Sequence, residues 1–409
     1  MSDGAFLLKS TIQTYPWGRV GSGSEVALLA NGNDASFDID ENTTYAELWM
    51  GTHPRGANRI VPGDRLLSDW LKENPQYLGS KLRQRFGDTL PFLFKVLSVN
   101  KALSIQAHPN KAHAEILHAA DPAHYPDDNH KPEVAIALTE FEGLCGFRPL
   151  HEIFSNIKAI PEIQNAIGAA TYTRINESKE LSDEQKLKSY FTAMMKCDQS
   201  VMETNVESLV KRVGLLDVNS SEYTRLQGEL LCRVNGQFPG DVGCFSIYFL
   251  NHIVLKPGES MYLEATLPHA YLSGDCIECM ACSDNVVRAG FTPKYKDVDT
   301  LCEMLNYSGK TASENRFKAR PHPSDPYVTV YDPDIDDFTV SKIELPADVT
   351  DYSLPLIDGA SIILVIEGEG RTIEPLSRGS VLFVSANQNV TIAKSNGQRM
   401  LMFRAYCQL

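Results

Sequence analysis

The sequence predicts a mainly β protein with two barrels or jelly rolls and an inserted α-helical domain. Three observations predict this fold. Short apolar runs of strand length, separated by Gly, Pro and Asn, occupy residues 1–150 and return from about residue 236 onward. Strands at this spacing favour a barrel or jelly roll over a parallel sheet. Between them the apolar residues follow a helical period, and 409 residues exceed what one core supports.

The first 150 residues contain the first group of strand-like runs. These runs lie at residues 6–8, 47–50 and 90–97. Ser68 precedes an apolar-periodic segment, so we expect it to cap a short helix whose Leu71 faces inward. Residues 110–120 are typical of a second short helix, because Asp121 and Pro122 follow and end it.

Residues 151–235 are predicted to form the inserted helical domain. Ser182, followed by two acidic residues, is typical of a helix N-cap. The positions expected to face the helical core recur at three or four residue intervals: Ile153, Ile157, Ile160, Leu187, Tyr190, Phe191, Met194, Val206, Leu209, Val210 and Val213.

Strand-like runs return after the helical segment. We expect strands at residues 244–250, 252–255, 261–264 and 270–272, with a turn at 256–259. A further group lies at 338–343, 361–366, 380–384 and 390–392, and a second turn at 377–380 suggests a related architecture. The predicted units are therefore a discontinuous barrel from 1–150 and 236–320, the helical insertion 151–235, and a C-terminal barrel 321–409.

Composition limits the class of protein and its partners. No stretch approaches twenty apolar residues and the N-terminus lacks a signal-peptide pattern, so we expect a soluble cytoplasmic protein without a membrane partner. A net charge of −14 argues against nucleic acid, although local cations can still bind a small anion. Nine cysteines favour reduced thiols. Cys276, Cys279 and Cys282 form C-x2-C-x2-C, but Val286 stands where a fourth cysteine would fall, so buried thiols are preferred over a metal cluster.

Histidines are crowded between residues 108 and 130, where five of the ten lie. Such crowding suggests a metal site, proton transfer or both. Gln106 and His108 are two residues apart on a predicted strand, so their side chains should share a face. His113 and His118 are five residues apart on a predicted helix and cannot form a metal-binding pair on one face.

Lys131 and Glu133 also belong to an extended segment and should share a face. They suit a metal ligand beside an anion-binding or proton-transfer group, and a surface ion pair is the alternative. His269 lies in the later β region, where a closing barrel could bring it opposite Gln106 and His108. This mixed O and N set is compatible with a catalytic zinc ion. Arg288, within an apolar run, is either a paired core residue or an anion clamp.

Together these segments resemble the type I phosphomannose isomerases of the cupin superfamily. The resemblance extends over nearly the whole chain in the family's order. The matching segments are residues 15–18, 45–54, 90–98, 103–111, 130–133, 143–149, 267–271 and 283–294. The least distinctive region is the C-terminal domain.

The resemblance implies a zinc-dependent isomerase acting on a hexose 6-phosphate. It implies one zinc ion per chain, bound by Gln106, His108, Glu133 and His269, and interconversion of mannose 6-phosphate and fructose 6-phosphate through a cis-enediol. The reaction would supply mannose 6-phosphate for GDP-mannose synthesis and glycosylation. A monomer is expected.

The resemblance also suggests roles for residues around the ion. The catalytic candidates are Lys131 and Arg288 near the sugar, Glu278 as proton carrier and His130 for ring opening. The substrate-binding candidates are Lys95 and Ser104 for the phosphate, Trp17 and Tyr271 as pocket walls, and His113. We assign His118 and His124 to structure.

Two other classes of protein compete with the isomerase. A non-catalytic sugar-phosphate-binding cupin would keep the barrel but has no reason to combine Lys131, Glu278 and Arg288. A cupin dioxygenase needs a redox metal and usually offers more histidines than this ligand set.

Overall fold

A computed structural model describes residues 4–395 and 397–409 of the protein. In this part the chain forms 26 strands and 13 α-helices. The strands before the helical segment are β1 (Ala5–Lys9), β2 (Thr11–Gln13), β3 (Arg19–Val20), β4 (Thr44–Tyr45), β5 (Glu47–Gly51), β6 (Arg59–Val61), β7 (Arg65–Leu66), β8 (Phe92–Val99), β9 (Ile105–Ala107), β10 (Glu133–Ala137) and β11 (Phe141–Phe147).

The remaining strands follow the helical segment. They are β12 (Leu250–Leu255), β13 (Ser260–Leu263), β14 (His269–Ala281), β15 (Val287–Gly290), β16 (Arg316–Phe317), β17 (Arg320–Pro321), β18 (Val328–Tyr331), β19 (Thr339–Leu345), β20 (Asp351–Ser353), β21 (Ser361–Glu367), β22 (Gly370–Arg371), β23 (Pro375–Leu376), β24 (Val381–Val384), β25 (Thr391–Lys394) and β26 (Met400–Tyr406).

Eight of the α-helices, α5 to α12 in the list that follows, succeed one another with no strand between them. They are α1 (Glu25–Asn33), α2 (Leu67–Glu73), α3 (Ser80–Phe86), α4 (Lys111–Ala120), α5 (Leu150–Ala159), α6 (Pro161–Ile167), α7 (Ala169–Glu177), α8 (Asp183–Met195), α9 (Gln199–Gly214), α10 (Ser221–Arg225), α11 (Gly228–Gln237), α12 (Gly243–Ser246) and α13 (Val298–Met304). None of these described helices is long and apolar enough to cross a membrane.

The structure confirms the predicted fold class, since β-sheets flank a helical segment that runs from α5 to α12. The first β unit is an eleven-stranded sheet organised around β14. This long strand pairs with β8, β9, β10 and β11, so residues distant in sequence meet along it. It thereby sets the positions of the side chains discussed below.

The C-terminal unit is a sandwich of a nine-stranded sheet and the four-stranded sheet β20-β25-β22-β23. Its large sheet also includes β1, β6 and β7 from the N-terminal region. Phe6 of β1 stacks on Phe383 at 5.0 Å and meets the edge of Trp70 at 4.9 Å. Strand pairing therefore places the N-terminal strand in the sheet of the third predicted unit, and Phe6 joins the core that this sheet shares with the first β unit.

The helical segment has the predicted core. All the expected positions are buried except Val210, which is half-buried, and Ser182 forms a capping box with Gln185 before α8. Two local predictions were wrong. Ser68 lies inside the first turn of α2 and makes no cap bond, although Leu71 is buried. Residues 244–249 begin with helix α12 instead of a strand, because a run in which every residue is buried has no period that distinguishes a helix from a strand.

The three closely spaced cysteines do not form a metal site. All nine cysteines are free. Cys276 and Cys279 are three residues apart on β14, so they lie on opposite faces of the strand and contribute to different cores. Among the described residues, the cluster with metal-binding geometry contains no cysteine.

Candidate metal centre and active site

Three strand ends bring His108, Glu133 and His269 together in the first β unit. His108 directly follows β9, whereas Glu133 and His269 begin β10 and β14. Gln106 of β9 is the register partner of His269. The ligand atoms of the three buried residues all lie within 4.8 Å of one another.

Hydrogen bonds orient both imidazoles toward the Glu133 carboxylate. Nδ1 of His108 lies 2.8 Å from the Asn285 carbonyl oxygen, and Nδ1 of His269 lies 2.9 Å from that of Leu267. A carbonyl only accepts, so each Nδ1 donates and each Nε2 keeps a lone pair. These Nε2 atoms lie 3.4 and 3.6 Å from Oε2 of Glu133. The cluster is arranged as metal ligands with backbone support.

The inner atoms of this cluster fit a cation. Nε2 of His108 and Oε2 of Glu133 are buried and have no hydrogen-bond partner within the described residues. Leaving such atoms unpaired is costly, and a divalent ion at their meeting point would satisfy both. Burial lowers the pKa of His108 to about 4. Burial raises the pKa of Glu133, but Lys131, His108 and His269 together outweigh it and hold the pKa well below its usual value. A neutral imidazole and a carboxylate are the ionisation states that a metal requires.

Gln106 lies beside the cluster with its amide nitrogen 3.4 Å from Nε2 of His269. Its amide oxygen accepts a hydrogen bond of 2.9 Å from the Ser104 hydroxyl. Rotating the amide by half a turn would present the oxygen to a metal, and the Ser104 hydroxyl could then accept from the amide nitrogen. Gln106 can therefore act as the fourth ligand without a change in the backbone.

A cavity of about 460 Å³ opens beside the cluster. Its walls include nine residues singled out from the sequence: Trp17, Lys95, Ser104, Gln106, Lys131, Glu133, Tyr271, Glu278 and Arg288. The structure does not bring His113 or His130 to this wall. His113 lies on α4. Nε2 of His130 lies 3.1 Å from both carboxylate oxygens of Asp337, which precedes β19.

Lys95 occupies a buried acidic pocket on this wall. Its Nζ lies 3.0 Å from Glu278 and 3.4 Å from Glu47. Burial lowers the pKa of Lys95, but these carboxylates outweigh it and raise the pKa above its ordinary value. The ammonium charge is thus already balanced by two carboxylates, which leaves little of it for a phosphate.

Glu278 is a buried carboxyl group on the same wall. Burial raises its pKa, while Lys95 acts in the opposite direction. The Tyr271 hydroxyl donates a hydrogen bond of 2.8 Å to Oε1 of Glu278. A carboxyl group whose pKa is raised and whose position is fixed suits general acid–base work.

Two further cations border the cavity. Nζ of Lys131 lies 3.0 Å from Oε1 of Glu133, on the same face as predicted. Arg288 is half-buried, and no carboxylate pairs with it in the described part of the chain. Burial lowers the pKa of Arg288. Of the two interpretations of Arg288 left open by the sequence, this environment favours the anion clamp.

Sequence reasoning missed Glu47 and Lys294 on the cavity wall. Glu47 accepts a hydrogen bond of 2.5 Å from Nε1 of Trp49 and helps to hold Lys95. A carboxylate within the buried strand β5 was the available signal, since an unpaired charge there is rare. Lys294 lies in a loop, where no periodicity indicates which way a side chain faces.

Family models match three parts of the chain. The catalytic domain of phosphomannose isomerase type I matches residues 5–150, the helical insertion domain of the same family matches 163–250, and its C-terminal model matches 329–374.

Similar proteins and structures match over almost the full length. The chain is 48% identical to the mannose-6-phosphate isomerase of Bos taurus, covering 99% of each chain. It is 40% identical to that of Aspergillus fumigatus, covering 98% of this chain and 96% of the other. A mutant phosphomannose isomerase from Salmonella typhimurium has a TM-score of 0.84 at 30% identity. A mannose 6-phosphate isomerase bound with zinc and yttrium has a TM-score of 0.84 at 29% identity. Each structure is covered completely, as is this chain.

Proposed function

The chain belongs to the type I phosphomannose isomerases, and from this membership we propose that it interconverts mannose 6-phosphate and fructose 6-phosphate with one bound zinc ion. The observation that carries the proposal is the buried cluster of His108, Glu133 and His269 beside the cavity. Gln106 completes the proposed ligand set. Zinc, when bound, would polarise or orient the oxygens of the sugar.

The reaction requires a proton to move between C2 and C1 of the open-chain sugar. A base takes the C2 proton, the C1–C2 double bond forms, and the aldehyde oxygen gains a proton to give a cis-enediol. Loss of the proton on the C2 oxygen and protonation of C1 then give the ketose. We propose Glu278 as the group that carries the carbon-bound proton, because its raised pKa and its contacts with Lys95 and Tyr271 suit that task.

The remaining wall residues bind and orient the substrate. We propose that Lys131 and Arg288 stabilise negative charge as it develops on the sugar oxygens, and that Ser104 and Arg288 contact the phosphate. Trp17 and Tyr271 would pack against the sugar. His130, bonded to Asp337, is better placed to hold the backbone beside Lys131 than to open the sugar ring.

We also propose a physiological setting from the family membership. The protein would act as a cytoplasmic monomer on a small-molecule substrate. Its mannose 6-phosphate would supply GDP-mannose synthesis and protein glycosylation.

A direct assay tests the proposal. Purified protein of measured metal content is incubated with mannose 6-phosphate, and fructose 6-phosphate is followed with and without a chelator. We expect conversion that the chelator abolishes and added zinc restores. Binding of mannose 6-phosphate by zinc-loaded protein without conversion would instead support the non-catalytic cupin.

Isotope exchange tests the proton carrier. Exchange of tritium at C2 with solvent should vanish in Glu278→Gln while substrate still binds, and the exposed Glu303→Gln serves as the matched control. Unchanged exchange in Glu278→Gln would exclude Glu278. Unchanged exchange in Lys131→Ala would exclude lysine as the base.

A further inference from the structure

A second cavity, of about 510 Å³, lies at one end of the C-terminal sandwich. It shares no lining residue with the cavity beside the metal cluster. Its wall is formed by β17, β18, β19 and β26, by the loop at residues 355–358 and by the C-terminal residues. The isomerase reaction proposed above uses none of these residues.

The centre of this wall is a buried arginine, Arg404. It lies on β26 opposite Ser341 of β19, on the inner face that also carries the core residues Met400 and Met402. Arg404 is only 2% exposed and lines the cavity. A cation thus stands at the end of an otherwise apolar sandwich interior.

The contacts of Arg404 leave its charge unbalanced. Its Nε donates to Oγ of Ser361 at 3.0 Å, and its Nη1 donates to the carbonyl oxygen of Pro355 at 2.6 Å. Both acceptors are neutral, and the Tyr406 ring, whose centroid lies 5.9 Å from Cζ of Arg404, adds a cation–π contact but no opposite charge. Within residues 4–395 and 397–409, no carboxylate forms an ion pair with Arg404, and Nη2 has no hydrogen-bond partner. A buried charge without an opposite charge is expensive unless a ligand supplies one.

The anionic groups of the wall are paired elsewhere, and the carboxyl oxygen of Leu409 accepts a hydrogen bond of 2.9 Å from Nζ of Lys81. Asp332 accepts from Nη2 of Arg320 at 2.6 Å, and Asp358 lies 3.6 Å from Nζ of Lys81. Neither neutralises Arg404. The cavity therefore keeps one buried positive charge for an occupant.

Polar and apolar groups around Arg404 match a small organic molecule. The hydroxyls of Ser341 and Tyr406 lie 3.1 Å apart beside it, and either can donate to an oxyanion. Val328, Val330 and Ile343 supply an apolar surface. A cavity of a few hundred Å³ that combines apolar surface with a few convergent polar groups is typical of small-molecule sites, which often lie at the mouths of β-barrels.

We propose that this cavity is a second ligand site, which binds a small organic anion through Arg404. The phosphate or carboxylate group contacts Nη2 of Arg404 and the hydroxyls of Ser341 and Tyr406. The rest of the molecule packs against the valine and isoleucine side chains. The expected ligands therefore share a phosphate or carboxylate group attached to a small organic skeleton, apolar or of the size of a sugar.

Calorimetric titration tests the site with two probes, glycerol 3-phosphate and citrate, which separate a phosphate ester from a carboxylate. At least one probe should bind the wild-type protein and bind Arg404→Met at least tenfold more weakly, with Arg404→Lys between them. Arg378→Met is the matched control, because Arg378 of the same unit is already paired with Glu25. Its affinity should equal that of the wild type.

Three results would overturn the site. They are no binding of either probe, equal affinity in wild type and Arg404→Met, and equal weakening in Arg404→Met and Arg378→Met. If Arg404→Met fails to fold, the affinity of the Tyr406→Phe variant for the same probes tests the site instead, because this change removes a hydroxyl and leaves the ring. At least a threefold weakening there supports the site, and an unchanged affinity refutes it.

Discussion

Replacing Lys95 by Met should destabilise the protein strongly, because it removes the cation that holds two buried carboxylates. Nζ of Lys95 lies 3.0 Å from Glu278 and 3.4 Å from Glu47, and the three side chains are 8%, 4% and 11% exposed. They are therefore a buried network and not a surface ion pair. Breaking such a network by removing one partner costs about 3–5 kcal/mol of the free energy of unfolding. The double variant Lys95→Met/Glu278→Gln should recover about half of that loss, because it removes one of the stranded charges.

The pH dependence of this loss has a definite sign. The pKa of Lys95 is raised, so its stabilising contribution is complete at pH 7 and is lost only as pH rises through that raised pKa. Burial raises the pKa of Glu278, and loss of Lys95 raises it further. As pH falls, Glu278 takes up a proton in the variant and the stranded charge disappears. The deficit relative to wild type should therefore shrink from pH 7 toward pH 5.

Urea unfolding of the wild type and both variants at several pH values measures this effect. Lys310→Met is the control, because Lys310 is half-exposed and its Nζ lies 3.9 Å from Glu264. It should cost no more than about 1 kcal/mol. A loss in Lys95→Met that is no larger than in this control, or that grows toward pH 5, would refute the reasoning.

Three further predictions concern the metal and the acid–base group. His269→Ala should lower zinc affinity by at least about a hundredfold and abolish isomerase activity, because it removes a buried ligand; full zinc content measured by mass spectrometry would contradict the four-ligand set. Removing zinc with a chelator should lower the midpoint of thermal unfolding. If free zinc had been a thousandfold above its Kd, the lost free energy of unfolding is about 4 kcal/mol. An unchanged midpoint in calorimetry would argue against a bound ion. Tyr271→Phe removes the hydrogen bond to Glu278 and should move the acidic limb of the kcat/KM profile to higher pH by about one unit. An unshifted limb would show that the ionisation of Glu278 does not determine it.

Local pattern was sufficient for much of the fold and indicated His108 and Glu133 as candidate metal ligands. Helical periodicity located the core positions of the inserted helices, and strand periodicity placed Lys131 and Glu133 on one face. The same rule separates Cys276 from Cys279, although the spacing of the cysteines resembled a cluster motif. The run 244–249 was misassigned because all six of its residues are buried and it therefore has no period that separates a helix from a strand.

Sequence alone determined which residue types could bind a metal, because the candidate ligands Gln106, His108 and Glu133 each lie within a short segment of regular period. Only the tertiary structure decided which charges remain available. Lys95 is balanced by Glu47 and Glu278, and His130 is bonded to Asp337 far along the chain. Arg404, in a second cavity, has no carboxylate partner in the described part of the chain. The reason is physical. Spacing along one strand fixes the face on which a side chain lies, whereas its charged partners come from strands that pair only when the chain folds.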